Sequence, residues 1–243
     1  MVVTLLLLWL ATRLGAYFGK LHPDPQNLDH EDFNLILTAT LTLLGLIIGF
    51  TFSMAVSRYD QRKNYEEQEA NAIGTEYLRV DALPMADAEK IRVLLRDYVS
   101  QRIIYYTTRR PDRLREARKK TLELQSSLWS GVADSALARP NPVAALVLSG
   151  MNDVLNSEGY TEAAWRNRVP GPAWILQILI ATFCNLVLGY RAYGKNPLLF
   201  WVLPIVLSTC FFLIADIESP RGGAIWIQAE NLQTLADSMQ PSK

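Results

Sequence analysis

The run LILTATLTLLGLIIGFTFSMAV, 22 residues from Leu35 to Val56, carries no charge. At about 1.5 Å of rise per helical residue it covers a hydrocarbon core of roughly 30 Å. It continues directly into SRYDQRKNYEEQEANAIGTEYL, which is densely charged, has no proline and has one glycine, Gly74. The pattern predicts one long helix from Leu35 to Leu78 that joins a membrane to a soluble compartment.

The faces of that helix differ. Gly45, Gly49, Ser53 and Ser57 recur every fourth residue and stack into a smooth stripe, the small-xxx-small device by which membrane helices approach closely. Thr42, Leu46 and Phe50 form a neighbouring i, i+4, i+8 row. Spacing alone gives this row a default role in facing lipid or packing within its own subunit.

Three further apolar segments accompany it. Residues 1–19 are apolar except for Arg13. Six leucines at roughly −0.5 kcal/mol each offset about +3 kcal/mol for a central arginine. The start lacks the basic n-region of a cleaved signal peptide, and Arg13 interrupts the apolar core, so a retained first transmembrane helix is expected. No charge occurs from Pro170 to Tyr190 or from Pro197 to Ala215, and Pro204 should kink the last span.

Between these spans lies a polar segment. Of the 24 basic and 24 acidic residues, 18 and 16 fall between Arg58 and Arg168. Helical spacing puts Ile91, Leu94, Leu95, Tyr98 and Val99 on one face of a helix starting near Asp87. A second helix follows over 112–129, with a basic outer face of Arg115, Arg118, Lys119 and Lys120. A third opens at Pro140-Asn-Pro142, and Leu232, Leu235, Ala236 and Met239 suggest an amphipathic tail. The organisation expected is 1–57 for two membrane helices and an acidic outer loop, and 58–169 for a helical cytoplasmic domain. The last two membrane helices take 170–216, and a cytoplasmic tail takes 217–243. Basic residues next to the spans (Arg58, Arg62, Lys63, Arg166, Arg168 against Lys20, Arg191, Lys195) put both termini and the large polar segment in the cytoplasm.

Several chemistries find no support. The balanced charge gives no sign of a nucleic-acid partner. Cys184 and Cys210 sit in apolar runs, so neither a disulfide framework nor a metal cluster is expected. The two histidines, His22 and His30, lie among the carboxylates of the first loop without the spacing of a metal site. No phosphate-binding loop, nucleophile elbow or zinc-protease motif occurs, and Glu66, Glu67 and Glu69 are expected on a solvated helix beside Arg62 and Lys63. Neither an enzyme nor a cofactor is expected.

GFTFSMAVSRYDQRKNY, from Gly49 to Tyr65, resembles the bestrophin signature G-F-x-x-x-x-V-[ST]-R followed by an aromatic residue. Similarity returns at Met151-Asn152, at 165–170 and at Ile217-Glu218-Ser219-Pro220, which parallels the family's I-x-N-P. EANAIGTEYLRVDALP, from Glu69 to Pro84, is closer still to a bacterial bestrophin-like family. The resemblance implies an all-α membrane protein with four transmembrane helices per subunit and a helical cytoplasmic domain. It further implies a homopentamer around a central pore, in the inner (plasma) membrane, passing small inorganic ions such as chloride. Membrane lipid and further copies of the chain are then its partners.

By motif alignment the resemblance places Thr42, Leu46 and Phe50 in a hydrophobic neck and makes Gly45, Gly49, Ser53 and Ser57 the surface where adjacent pore helices pack. Asn141-Pro142 matches loosely the family's second constriction and puts Val143 there. Arg58, Arg62, Glu66 and Glu69 are expected around the vestibule below the neck. The chain departs from the family at Tyr59-Asp60, where a tryptophan pair is usual, and at Arg221-Gly222-Gly223, which replaces a calcium-binding acidic run. Calcium gating is therefore not expected. The alternative is a non-conducting membrane scaffold whose helical cytoplasmic domain binds a protein partner or lipid.

Overall fold

The computed structural model describes residues 1–21, 30–191 and 198–240, and all of their regular structure is helical. Eight α-helices follow one another: α1 (Val2–Leu21), α2 (His30–Arg79), α3 (Met85–Thr107), α4 (Pro111–Ala138), α5 (Pro142–Arg166), α6 (Gly171–Arg191), α7 (Leu199–Glu218) and α8 (Glu230–Ser238). Among the described residues four helices are long and apolar enough to cross a membrane: α1, the first half of α2, α6 and α7. His22, Asp24 and Asp29 lie outside the described residues, as does the side chain of His30.

The 50-residue α2 runs through the apolar-to-charged transition without a break. A 3₁₀ turn over Val80–Ala82 ends it, because the residue before Pro84 is pushed out of helical geometry. Pro111 and Pro142 each occupy the first turn of a helix, where a missing N–H costs nothing. Asn141 caps α5, its Oδ1 accepting the Ala144 N–H at 2.9 Å.

The chain divides into two compact units. The apolar unit comprises Met1–Ser57 and Arg168–Ser219. Leu8, Leu44, Ala181, Cys184, Leu207 and Phe211 form its core, and Trp174 meets Phe211 edge-on. In this unit α1 and α6 approach backbone to backbone. A Cβ on Gly15 would lie 1.9 Å from the Leu186 carbonyl oxygen, and one on Gly189 would lie 1.9 Å from that of Thr12. The Thr12 hydroxyl, buried beside these glycines, stands 3.2 Å from Asn185 Oδ1. The Arg13 guanidinium lies over the rings of Trp9 and Phe200, at 5.0 and 5.7 Å, which supplies a partner for the charge within an apolar helix.

The polar unit comprises Arg58–Asn167 and Pro220–Lys243. Its core takes Ile73 from α2, Ile91, Leu95, Tyr98 and Val99 from α3, Leu124 and Leu128 from α4, Val147, Met151 and Val154 from α5, and Leu232 from α8. Val143 and Leu146, at the start of α5, are exposed.

The reciprocal fit at Gly15 and Gly189 has a direct consequence. Gly189→Leu should force α1 and α6 apart and lower the stability of the solubilised protein by about 1–3 kcal/mol or more. Gly45→Leu should leave the subunit fold unchanged, since nothing lies within 4 Å of a Cβ there. Thermal unfolding of the two variants in one detergent checks the contrast.

Candidate functional site: the two faces of α2

All the buried residues of α2 except Ala70 follow one line. Leu44, Thr51 and Ala55 are buried in its first half, and Arg62, Glu66, Glu69, Ile73 and Glu76 in its second. Steps of three, four and seven residues keep all eight within about 40° of a common direction at 100° per residue. In the apolar unit apolar packing and a hydrogen bond hold this line, with Leu37, Leu41 and Ile48 packed against the core beside Leu44. Leu44 joins the core, and Gln177 Nε2 on α6 donates to Thr51 Oγ1 at 2.5 Å, with both side chains buried.

The opposite face is open. Leu46 and Phe50 are 55% and 63% exposed, and Thr42 is exposed too. At 100° per residue the row lies about 160–240° round from the buried line. Of the two default roles that spacing suggests, packing within its own subunit is excluded and facing lipid is not. Gly45, Gly49, Ser53 and Ser57 are exposed beside it, and a Cβ on either glycine would meet nothing within 4 Å. The close helix contact inside the subunit uses Gly15 and Gly189 instead. Val143 is 49% exposed in the first turn of α5, immediately after the Asn141 cap.

The four charges expected around a vestibule are placed differently. Arg58 is half-buried. Arg62, Glu66 and Glu69 are fully buried in the polar unit, so they do not form a solvated charged wall. Arg62 Nε and Nη2 donate to the carbonyl oxygens of Ala164 and Asn167, at 3.2 and 3.1 Å. These are acceptors at the end of α5, where a cation also complements the helix dipole. Glu66 serves the start of α8, which has no side-chain cap of its own. Its Oε1 accepts the Leu232 N–H at 2.9 Å and its Oε2 accepts from Asn231 Nδ2 at 2.6 Å. Burial nevertheless pushes the Glu66 carboxyl above the usual carboxylate range.

Glu69 is the centre of a buried network. The Arg102 guanidinium donates to both of its oxygens, and the hydroxyls of Tyr106 and Thr161 lie 3.0 and 3.1 Å from Oε2. Arg102 also stacks over Tyr105 at 4.4 Å and reaches Glu158 at 3.5 Å. Arg221 lies over the Trp165 ring at 4.0 Å and donates to the Tyr105 carbonyl at 3.3 Å. Glu66 and Glu69 are therefore not on the solvated helix face expected from sequence. Both carboxylates bond to partners more than 30 residues away.

One buried residue was not anticipated. Glu76 is fully buried, and neither of its carboxylate oxygens has a hydrogen-bond partner among the described residues. Its carboxylate lies over Gly150 of α5, where a Cβ would come within 2.0 Å of Oε2 and 2.5 Å of Arg79 Nη1. Burial is the main cause that raises its pKa to about 7, with Asp153 adding to the rise and Arg79 opposing it. The sequence carries a signal for this site: Glu69, Ile73, Glu76 and Val80 form a helical stripe in which two members are apolar. Among the described residues no cluster of three metal-ligating side chains occurs.

The Bestrophin-like domain family matches residues 5–232. The fold is also that of a bacterial bestrophin homologue from Klebsiella pneumoniae. A crystal structure of a point variant of that protein has a TM-score of 0.72 at 15% identity, covering 98% of this chain and 97% of its own. A second structure of the homologue gives 0.71 at 15% identity, with 98% and 96% covered. No curated protein matches the chain in sequence.

Glu76 gives stability a signed pH dependence. A carboxyl whose pKa is raised on folding is protonated more readily in the folded state than in the unfolded one. Its contribution is full below about pH 4.5 and is lost as pH rises through about 7. A tenfold change in proton affinity corresponds to about 1.4 kcal/mol, so the loss is roughly 3 kcal/mol. Glu76→Gln should flatten this fall between pH 5 and 8. Glu66 and Glu158, also raised by burial, should leave a smaller residual slope. Unfolding midpoints across that range check the difference, and parallel curves for wild type and variant would contradict it.

Proposed function

The chain belongs to the bestrophin-like family, and on that premise we propose that it is an ion channel, a homopentamer whose copies of α2 surround a central pore. The four apolar helices make it a multi-pass membrane protein. Its family is one of non-catalytic membrane proteins, so the chain is not an enzyme.

The observation that carries the proposal is the phase of α2. Its buried line ties it to the subunit, and diametrically across the helix Thr42, Leu46 and Phe50 are presented outward. Copies related by a closed rotation would turn this row toward the axis. Gly45, Gly49, Ser53 and Ser57 would let neighbouring copies of α2 pack closely there. The Phe50 and Leu46 side chains would then form a collar that water wets poorly. An ion crossing it loses hydration with little replacement, which makes the collar a barrier that small changes in radius can open. Chloride or another monovalent ion is the conducted species in this reading, and Val143 lines a second constriction. Arg58 sits near the lower mouth. The polar unit and both termini face the cytoplasm, and the inner membrane is the location.

Ion flux into liposomes containing only the purified protein tests conduction. Phe50→Ala and Leu46→Ala should raise flux per oligomer severalfold by widening and wetting the collar, while Phe52→Ala should change it much less. Gly49→Leu should prevent assembly without unfolding the subunit. No flux from an intact wild-type oligomer would favour a non-conducting scaffold whose polar unit binds a protein or lipid partner. Orientation has its own check. A cysteine at Ser126 should resist an impermeant reagent added outside cells. Cysteines at Asn27 and Asn196, which lie outside the described residues, should react.

A further inference from the structure

The turn from α3 to α4 gathers positive charge that the fold leaves uncompensated. Seven basic and two acidic residues fall between Arg109 and Lys120. Much of the basic outer face expected on α4 is paired: Arg115 with Asp112, Arg118 with Glu162 and Lys120 with Glu123. Arg109, Arg110 and Arg113, at the turn itself, are exposed and make no ion pair among the described residues. At the opposite end of the same helix pair charge is near balance, with Asp81, Asp87, Glu89 and Asp134 beside Lys90, Arg92 and Arg139.

The turn is tied to two stretches of the polar unit that lead to membrane helices. Arg109 lies over the Trp226 ring at 4.7 Å, and its Nη2 donates to the Gly223 carbonyl oxygen at 3.3 Å. Arg221 donates to the carbonyl of Tyr105, four residues before Arg109, and lies over the ring of Trp165. Gly223 is five residues past Glu218, the end of the last membrane-crossing helix. Trp165 is six residues ahead of Gly171, where α6 begins. At no more than about 3.6 Å per residue these links are at most roughly 18 and 22 Å long. That is close to a headgroup layer of about 5–8 Å plus one screening length of about 8–10 Å. The turn therefore lies within reach of a charged bilayer surface.

We propose that Arg109, Arg110 and Arg113 form a binding surface for the phosphate groups of anionic lipid headgroups, in the bilayer that holds the apolar helices. Guanidinium groups pair with phosphate oxygens in a two-pronged geometry, and three such side chains at one turn can engage neighbouring headgroups. The short links keep the turn beside a dense layer of these groups, so headgroups meet it at high effective concentration. Each contact strengthens the hold of the polar unit on the membrane surface and makes that hold depend on lipid charge. The inference requires the apolar helices to span a bilayer but not that the protein conducts, so loss of the channel reading leaves it standing.

Native mass spectrometry of the full-length protein, released from nanodiscs of equal parts phosphatidylglycerol and phosphatidylcholine, tests this directly. Wild type should retain phosphatidylglycerol severalfold in excess over phosphatidylcholine. Arg109→Gln with Arg110→Gln and Arg113→Gln should lower that excess at least twofold with assembly unchanged. Arg109 also braces the turn through Trp226 and Gly223. Arg110→Gln with Arg113→Gln, which breaks no side-chain hydrogen bond or ion pair among the described residues, should therefore lower the excess on its own. Lys90→Gln with Arg139→Gln, at the other end of the helix pair, should leave it unchanged. Raising salt before release should reduce the excess more in wild type than in the triple variant. Inorganic phosphate in large molar excess, at matched ionic strength, should not reduce it. No excess in wild type, an excess untouched by the triple and double substitutions, or equal losses from the patch and control variants would overturn the inference. Displacement by inorganic phosphate would overturn it too, marking a site for free anions.

Discussion

A single buried line along α2 fixes the rest of the subunit. In the apolar unit it is carried by Leu44 in the core with Leu37, Leu41 and Ile48 packed against it, by Ala55 and by the hydrogen bond from Gln177 to Thr51. Inside lipid there is no hydrophobic force to favour one rotation of a Leu- and Ile-rich helix over another, so polar contacts and close packing decide it. Gln177 and Thr51 are suited to that task because unpaired amide and hydroxyl groups are costly to leave in an apolar interior. The rotation they select leaves Thr42, Leu46, Phe50 and the glycines for contact outside the subunit.

In the polar unit the same line is held by charge. Burying a carboxylate and a guanidinium is compensated only when both are fully hydrogen-bonded, and Glu69 meets that condition with Arg102, Tyr106 and Thr161. Removing either partner of such a pair typically costs about 3–5 kcal/mol. Arg62 and Glu66 act differently, each satisfying one end of another helix, so α2 organises both the exit of α5 and the entry of α8. Glu76 departs from the rule, being buried without a hydrogen bond among the described residues. A raised pKa is the expected response of such a group, because the neutral acid is cheaper to bury than the carboxylate.

The helices, their order and the family were legible in the sequence because they depend on local signals. Pro84, Pro111 and Pro142 punctuate the chain, charge-free runs mark the spans, and Gly49 to Arg58 carries a recognisable motif. Facing was harder to read. Arg62, Glu66, Glu69 and Glu76 look like a solvated surface until their partners on α3, α5 and α8 are known, and those lie far along the chain. Ala11, Gly15 and Gly19 show the same four-residue repeat as Gly45 and Gly49, and they mark the contact made inside the subunit. Only the stripe in α1 has a neighbour within the subunit, and a Cβ at Gly45 or Gly49 would meet nothing within 4 Å.

The central claim is that the face bearing Phe50 meets other copies of the chain around an axis, while the face bearing Ala55 belongs to the subunit. Site-directed crosslinking in membranes tests it most directly, using single cysteines in a background with Cys184 and Cys210 replaced. A cysteine at Phe50 should be linked between subunits by a short bifunctional thiol reagent, giving a ladder up to five chains, and one at Ala55 should give no ladder. Absence of links at Phe50, or equal links from both positions, would contradict the account.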